Sequence, residues 1–175
     1  MYNTFKALQK ESRMSFYRYY VAYGSNLNMV QMKRRCPTAT VVGVTVLNDY
    51  QLLFKVSKSG AYLTVEKCIG KKVPVVIWRV SHEDELMLDW YEGCPKYYYK
   101  TTKKFNLKGK TIKAFVYIMH ENRKFGIPSK EYIRRCRIGY KMFNFDLNNL
   151  TDAIYTSYDN LIRTLVKNQL EVKNA

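Results

Sequence analysis

Two short segments of the sequence combine residue types that could do chemistry, and the first follows an aromatic segment typical of a β-strand. Its residues, in order, are Tyr20, Val21, Ala22, Tyr23, Gly24, Ser25 and Asn26. The pattern predicts a strand that turns into a helix, where free backbone N–H groups and the positive end of the helix dipole favour anions. Gly24 would let a ligand approach the backbone closely. The segment therefore indicates either an anion or oxyanion site or simply a capped turn.

The second segment surrounds Glu92, which is followed by Gly93 and then by Pro95. Because glycine is a common helix C-cap and proline cannot continue a helix, Glu92 is predicted to lie in a last helical turn. The negative end of the helix dipole and the aromatic neighbours Trp90 and Tyr91 would disfavour the carboxylate anion and raise its pKa. Such a glutamate is a good general base near neutral pH. The alternative is an ordinary solvated glutamate at a helix end.

Length and composition describe one strongly basic folded domain. The chain has 175 residues, of which 47% are hydrophobic, and its formal net charge is +16. That length suits a single domain with a core, and that charge attracts polyanions and anionic substrates without identifying one. The two histidines are His82 and His120, and no two of the four cysteines form a C-x-x-C pair. A zinc or other metal site is therefore not expected.

The sequence also bears on location and domain organisation. No apolar run approaches the ~18 residues that a membrane span needs, and Met1–Arg13 has no apolar region typical of a secretory signal. We therefore expect a cytoplasmic protein with reduced thiols and no membrane association. Residues 1–15 are predicted to be an N-terminal extension, and residues 16–175 one domain.

The secondary-structure elements that must position these segments can be predicted from the spacing of apolar residues. This spacing changes period several times along the chain. Strands are predicted over residues 16–22, 40–54, 61–66, 73–80, 97–105 and 111–119. Asn26 or Asn28 could cap a first helix, and Ser81 a second one with acids in its first turn. Further helices are predicted from Ser129 to Tyr140 and over residues 150–172. The order of elements indicates an α+β fold, with a mixed sheet curled into a small β-barrel and helices at its periphery.

The chain resembles the γ-glutamylcyclotransferase family and the related AIG2-like proteins in the order and spacing of four segments. These are Y-V-A-Y-G-S-N at 20–26, A-Y-L-T-V-E at 61–66, V-V-I-W at 75–78 and L-D-W-Y-E-G at 88–93. The similarity extends from about Phe16 to at least Met119. It implies the fold of that family and a small-molecule γ-glutamyl substrate.

The resemblance also implies roles for particular residues. The family's Tyr-Gly-Ser loop binds the glutamyl group, which here corresponds to Tyr20–Ser25 with Asn26 alongside. The glutamate before the glycine is the general base, here Glu92, and a tyrosine of a late strand lines the pocket, here Tyr117. The implied reaction is intramolecular, since the α-amine of a γ-glutamyl amide attacks the side-chain carbonyl and releases 5-oxoproline and an amine. No metal or organic cofactor is implied.

Two other functions remain open. Basic patches at 33–35, 103–104 and 134–137, interleaved with aromatic residues, could bind nucleic acid non-specifically, although no RRM, KH or zinc-finger signature is present. A family member that binds a small ligand without turnover is the second alternative, and the presence of Glu92 argues against it. The sequence does not define the oligomeric state.

Overall fold

The architecture is a curled, five-stranded mixed sheet with helices around it. The computed structural model describes residues 17–173, so the predicted extension at 1–15 lies outside the described residues. The strands are β1 (Arg18–Ala22), β2 (Thr40–Val56), β3 (Ala61–Val80), β4 (Tyr98–Leu107) and β5 (Lys110–Met119). A 3₁₀ turn (Ser25–Leu27) precedes helices α1 (Met29–Arg35), α2 (His82–Glu92), α3 (Lys130–Met142) and α4 (Asn148–Lys173). The predicted α+β class is confirmed.

The sheet is open, although its two edges approach each other. Its strand order is β2-β3-β1-β5-β4, with β1 antiparallel to β3 and parallel to β5. The edge strands meet where the Thr45 hydroxyl of β2 donates a hydrogen bond to the Asn106 carbonyl of β4 at 2.8 Å. Among the described residues this contact replaces a backbone ladder between β2 and β4. The predicted barrel is therefore a strongly curled sheet that does not close.

The segments 61–66 and 73–80, predicted as separate strands, form the single strand β3. Between them the ribbon projects from the core, and Ile69 is 95% exposed. The pairing with β2 shifts between Asn48 and Tyr50, where Asp49 adopts a φ of 59°. The Asp49 carboxylate accepts a hydrogen bond from the Gly70 N–H at 2.9 Å. The polar residues of this ribbon lack the apolar alternation of a half-buried strand, so the sequence pattern missed its continuity.

Helix caps set where the two chemical segments lie. Of the two candidate caps, Asn28 begins α1, because its side chain accepts hydrogen bonds from the N–H groups of Val30 and Gln31. Ser81 begins α2, and Gly93 ends it with a left-handed φ of 63°. Glu92 is therefore the last residue of a helix, as predicted. No helix within residues 17–173 is both long and apolar enough to cross a membrane.

The turn after β1 is held from behind by α3. A Cβ at Gly139 of α3 would lie 2.5 Å from Leu27 Cβ and 2.9 Å from the Asn28 nitrogen. The next residue, Tyr140, is fully buried, and its hydroxyl donates to the Tyr23 carbonyl at 3.3 Å. Only glycine permits this approach of a helix to the turn, and the approach fixes the backbone of the first chemical segment.

Candidate active site

A cavity of about 390 Å³ brings the two chemical segments together at the end of β1. The first segment lines it with Tyr20, Tyr23, Gly24, Ser25 and Asn26, and the second with Glu92 and Gly93. Tyr117 of β5 lines it as well. Two of the residues predicted to bind substrate do not line the cavity: Val21 and Ala22 are 0% and 1% exposed in the core. They support the site from within β1.

Asn26 connects Glu92 to the rest of the site. Its amide nitrogen donates to Glu92 Oε1 at 3.1 Å and to the Tyr20 hydroxyl at 2.9 Å. Its amide oxygen accepts a hydrogen bond from Arg35 Nη1. Because both ends of the amide are occupied by groups of fixed polarity, its orientation is determined, and with it the position of the Glu92 carboxylate.

The environment of Glu92 raises its pKa from 4.5 to about 7. The main cause is burial, which disfavours the charged form. The positive charge of Arg35 and the hydrogen bond from Asn26 act in the opposite direction and limit the rise. The side chain is half-buried and lines the cavity. A carboxyl group with these properties can both accept and return a proton near neutral pH.

Arg35 is a site residue that the sequence pattern assigned to a surface patch. It ends α1, and its guanidinium carbon lies 3.2 Å from the centre of the Tyr91 ring. Burial lowers its pKa to about 10. The sequence signal for the inward position of Arg35 was the apolar Met32, because residues three apart share a face of a helix. In the structure Met32 is fully buried. Arg35 therefore faces inward and does not belong to the basic surface.

Two tyrosines that line the cavity act as hydrogen-bond donors. The Tyr23 hydroxyl donates to the Tyr117 carbonyl at 2.7 Å, and the Tyr117 hydroxyl donates to Asp89 Oδ1 at 2.6 Å. Burial raises the pKa of both phenols far above the usual value. They stay protonated and hold the wall in place. Asp89 belongs to the L-D-W-Y-E-G segment, although sequence analysis assigned it no role, and it also pairs with Lys100 Nζ at 2.9 Å.

The 3₁₀ turn presents backbone donors to the cavity. The Leu27 N–H donates to the Gly24 carbonyl at 3.0 Å. Within residues 17–173 the N–H groups of Ser25 and Asn26 have no backbone carbonyl partner. Such donors suit an oxyanion or a carboxylate. A Cβ at Gly24 would lie 3.3 Å from the Tyr132 hydroxyl, which leaves little space for a side chain there.

The two histidines do not line the cavity. His120 Nε2 lies 2.7 Å from the Pro95 carbonyl, and His82 is an exposed residue at the start of α2. Among residues 17–173, no three or more His, Cys, Asp or Glu side chains are arranged to hold a metal ion.

Comparison with known proteins decides the family. The sequence model described as "Gamma-glutamyl cyclotransferase, AIG2-like" matches residues 20–134, about two thirds of the chain. The chain belongs to this family. The match begins at Tyr20, includes Glu92 and Tyr117, and ends within α3.

The chain is also similar to individual proteins. A Gamma-glutamylcyclotransferase of Mus musculus is 31% identical over 131 residues, which are 70% of this chain and 69% of the relative. A solved Gamma-glutamyl cyclotransferase has a TM-score of 0.70 at 26% identity, over 78% of this chain and 86% of that one. A solved uncharacterized protein of Homo sapiens has a TM-score of 0.69 at 27% identity, over the same shares.

Proposed function

We propose that the protein is an active γ-glutamylcyclotransferase that cleaves a γ-glutamyl amide or peptide. The observation that carries this proposal is the Glu92 carboxyl group, which lines the cavity with a pKa of about 7 and lies 3.1 Å from Asn26 of the loop. A carboxyl group balanced between its two protonation states is the group that this reaction requires.

The chemistry is a ring closure in which the nucleophile and the electrophile belong to one molecule. The α-amine attacks the side-chain carbonyl carbon, a five-membered ring forms, and the bond to the departing nitrogen breaks. The products are 5-oxoproline and a free amine, and no water is consumed. Because the nucleophile is already tethered, the enzyme mainly has to hold the reactive rotamer.

Glu92 would move the proton that the reaction transfers. The α-amine is protonated in water and becomes nucleophilic when its proton passes to the Glu92 carboxylate. The same carboxyl group would then give that proton to the departing nitrogen. It would pass on in the same way the second proton, which the attacking nitrogen loses on becoming the lactam nitrogen, so that the amine leaves as its ammonium form. Neither step calls for a metal or an organic cofactor.

The loop would bind the parts of the substrate that carry negative charge. The N–H groups of Ser25 and Asn26 would donate to the glutamyl carboxylate or to the oxyanion that develops on the attacked carbonyl. Tyr20, Tyr23 and Tyr117 would enclose the aliphatic part of the glutamyl group. Val21 and Ala22 would contribute through the backbone of β1, because their side chains face the core.

The proposal includes a small-molecule substrate and a cytoplasmic location. The thiols of Cys36, Cys68, Cys94 and Cys136 are all free. Free thiols are typical of a reducing compartment.

The test combines a substrate panel with one isosteric substitution. The wild type is expected to release 5-oxoproline from at least one γ-glutamyl dipeptide or γ-glutamyl amine. Glu92→Gln keeps the size of the side chain but removes the proton acceptor, so kcat should fall at least ~10²-fold. KM should change little, because the lost interaction acts mainly in the transition state.

Glu83→Gln is the matched control for Glu92→Gln. Glu83 lies in the first turn of the same helix, is fully exposed to solvent and does not line the cavity. Its replacement should leave kcat near the wild-type value. Ligand binding without release of 5-oxoproline by the wild type would instead favour a binding protein without turnover.

A further inference from the structure

The cavity is larger than the glutamyl site proposed above and reaches the turn between β2 and β3. Ser57, Lys58 and Ser59 of this turn line it, as does Tyr62 at the start of β3. The volume of about 390 Å³ lies at the lower end of the roughly 300–1,000 Å³ typical of small-molecule sites. There is therefore room for the glutamyl group and for a departing group of similar size.

Lys58 supplies a positive charge at the part of the cavity formed by the turn between β2 and β3. Of the residues that line the cavity, all of them described, only Lys58 and Glu92 carry a full charge. Lys58 makes no hydrogen bond or ion pair within residues 17–173, whereas the nearby Lys55 is buried and bound to Glu66 and to the Glu121 carbonyl. Lys58 is an exposed lysine at the edge of the cavity without a protein partner, so its ammonium group is available to pair with a ligand carboxylate.

The turn that carries Lys58 is braced on both sides. The Ser57 N–H donates to the Gly60 carbonyl at 2.8 Å, and the Ser59 hydroxyl lies 2.7 Å from the Tyr62 hydroxyl. At the base of the turn the Val56 N–H donates to the Lys124 carbonyl at 2.8 Å. These contacts fix the backbone from which the Lys58 side chain extends.

An exposed tryptophan supplies an apolar surface on the same cavity. Trp90 is 78% exposed although it lines the cavity, and it lies two residues before Glu92 in α2. Tyr91 and Tyr97 line the cavity beside it. Exposed aromatic rings of this kind bury a large apolar area when a ligand covers them, and stacking with an aromatic ligand adds to that gain.

We infer that the departing group is an α-amino acid with a large apolar or aromatic side chain, whose carboxylate pairs with Lys58 and whose side chain packs on Trp90. This inference rests on the proposed function and narrows its substrate class. In the reaction the bond between the glutamyl carbonyl carbon and the nitrogen of this amino acid breaks. The α-ammonium group loses two protons on becoming the lactam nitrogen and the departing nitrogen receives both, so that 5-oxoproline and the intact amino acid, with its own ammonium group, are the products.

The test compares three substrates that differ in one group at a time. γ-Glutamyl-phenylalanine has both features, γ-glutamyl-phenethylamine lacks the carboxylate, and γ-glutamyl-alanine lacks the ring. For the wild type, kcat/KM is expected to be highest for the first. Both contacts lie away from the reacting atoms, so the differences should appear mainly in KM.

Single substitutions assign each preference to its residue. Lys58→Met should lower the preference for phenylalanine over phenethylamine about 2- to 5-fold, the range of an exposed ion pair, and Lys58→Arg should retain it. Trp90→Ala should lower the preference for phenylalanine over alanine by about threefold or more. Lys104→Met is the control: it removes the same charge from an exposed residue of β4 outside the cavity, and both preferences should persist.

The outcomes separate this inference from the proposed function. Equal turnover of all three substrates, or preferences that survive Lys58→Met and Trp90→Ala, would overturn the inference and leave the cyclotransferase proposal standing. If these three compounds are not turned over but another γ-glutamyl compound is, the inference is overturned and the proposed function stands. If no γ-glutamyl compound of the wider panel is turned over, the proposed function fails, and calorimetric binding of the three compounds then tests the subsite alone. Equal affinities in that measurement would also overturn the inference.

Discussion

At the scale of single residues, the working pH of the site follows from opposing influences on Glu92. Burial raises the pKa of its carboxyl group, and the positive charge of Arg35 lowers it, with a result of about 7. The base is active only when ionised, so kcat/KM should rise with pH and level off above about 7. The acidic limb of that profile reports the pKa in the free enzyme.

Replacing Arg35 should move this limb in a predictable direction. Arg35→Met removes a positive charge that favours the ionised carboxylate, so the pKa of Glu92 should rise and the limb should shift to higher pH. A shift on the order of half a unit to one unit is expected. The measurement is kcat/KM between pH 5 and 9. Arg34→Met removes the same charge from the exposed neighbour and should leave the limb in place; an equal shift in both variants would contradict this assignment.

The raised pKa of Glu92 also has a consequence for stability. The folded protein binds this proton more tightly than the unfolded chain, so protonation stabilises the fold. The stabilisation is fully present below the unfolded pKa of 4.5 and is lost as pH rises through about 7. The free energy of unfolding of the wild type should therefore fall relative to Glu92→Gln by about 2 kcal/mol between pH 5 and 8, after a discount for the partial exposure. Urea unfolding at the two pH values measures it, and a constant difference would contradict the raised pKa.

Sequence reasoning identified only part of the residues at the site. Local signatures placed Glu92 at a helix end and residues 23–26 in a turn, and the resemblance to the γ-glutamylcyclotransferase family then gave them roles at a site. Arg35 and Lys58 could not, because their inward orientation depends on contacts between distant elements. A basic residue at a helix end or in a turn usually faces solvent.

At the scale of elements, the local signals were strong where a turn or cap residue was present. Ser81 and Gly93 defined helix ends that the structure reproduces, and of the two candidates Asn26 and Asn28 the N-cap of α1 is Asn28. The continuity of β3 was missed because its middle projects into solvent, where no core face imposes alternation. The sequence also could not predict that the sheet stays open, because closure depends on how far β2 and β4 curl toward each other.

The packing of α3 against the 3₁₀ turn leads to a prediction at the scale of elements. In Gly139→Ala the new Cβ would lie too close to Leu27 and to backbone atoms of the turn, so the helix must move. We expect the free energy of unfolding to fall by about 1–3 kcal/mol, although alanine usually favours a helix over glycine. Urea unfolding measures the loss.

The control for this prediction is Arg137→Ala, at an exposed position of the same helix. It should change the free energy of unfolding by no more than about 0.5 kcal/mol. Activity gives a second readout, because a displaced turn moves Asn26 relative to Glu92. Unchanged stability and activity in Gly139→Ala would show that the contact between α3 and the turn is not tight.

At the scale of the whole molecule, the charge of +16 raises the question of whether the basic patches form a nucleic-acid site. Arg35, from one of the three basic patches, faces the interior. In another, Arg134 and Arg135 both pair with Glu131, at 2.8 and 3.0 Å. Neither patch therefore presents the unpaired cluster of cations that a defined nucleic-acid site needs.

The inward position of Arg35 and the pairing of Arg134 and Arg135 predict that any nucleic-acid binding is weak and independent of sequence. The dissociation constant at physiological salt should be about 10⁻⁴–10⁻⁶ M, and affinity should fall steeply with salt because binding releases counterions from the phosphates. Fluorescence anisotropy with two DNA duplexes of equal length and unrelated sequence, at 50 and 200 mM salt, measures both properties. γ-Glutamyl turnover in the presence of the same DNA is the control and should be unchanged, because the proposed substrate site is a separate cavity. If one duplex binds more than about 10³-fold tighter than the other at physiological salt, the alternative function of nucleic-acid binding would be favoured over the enzymatic one.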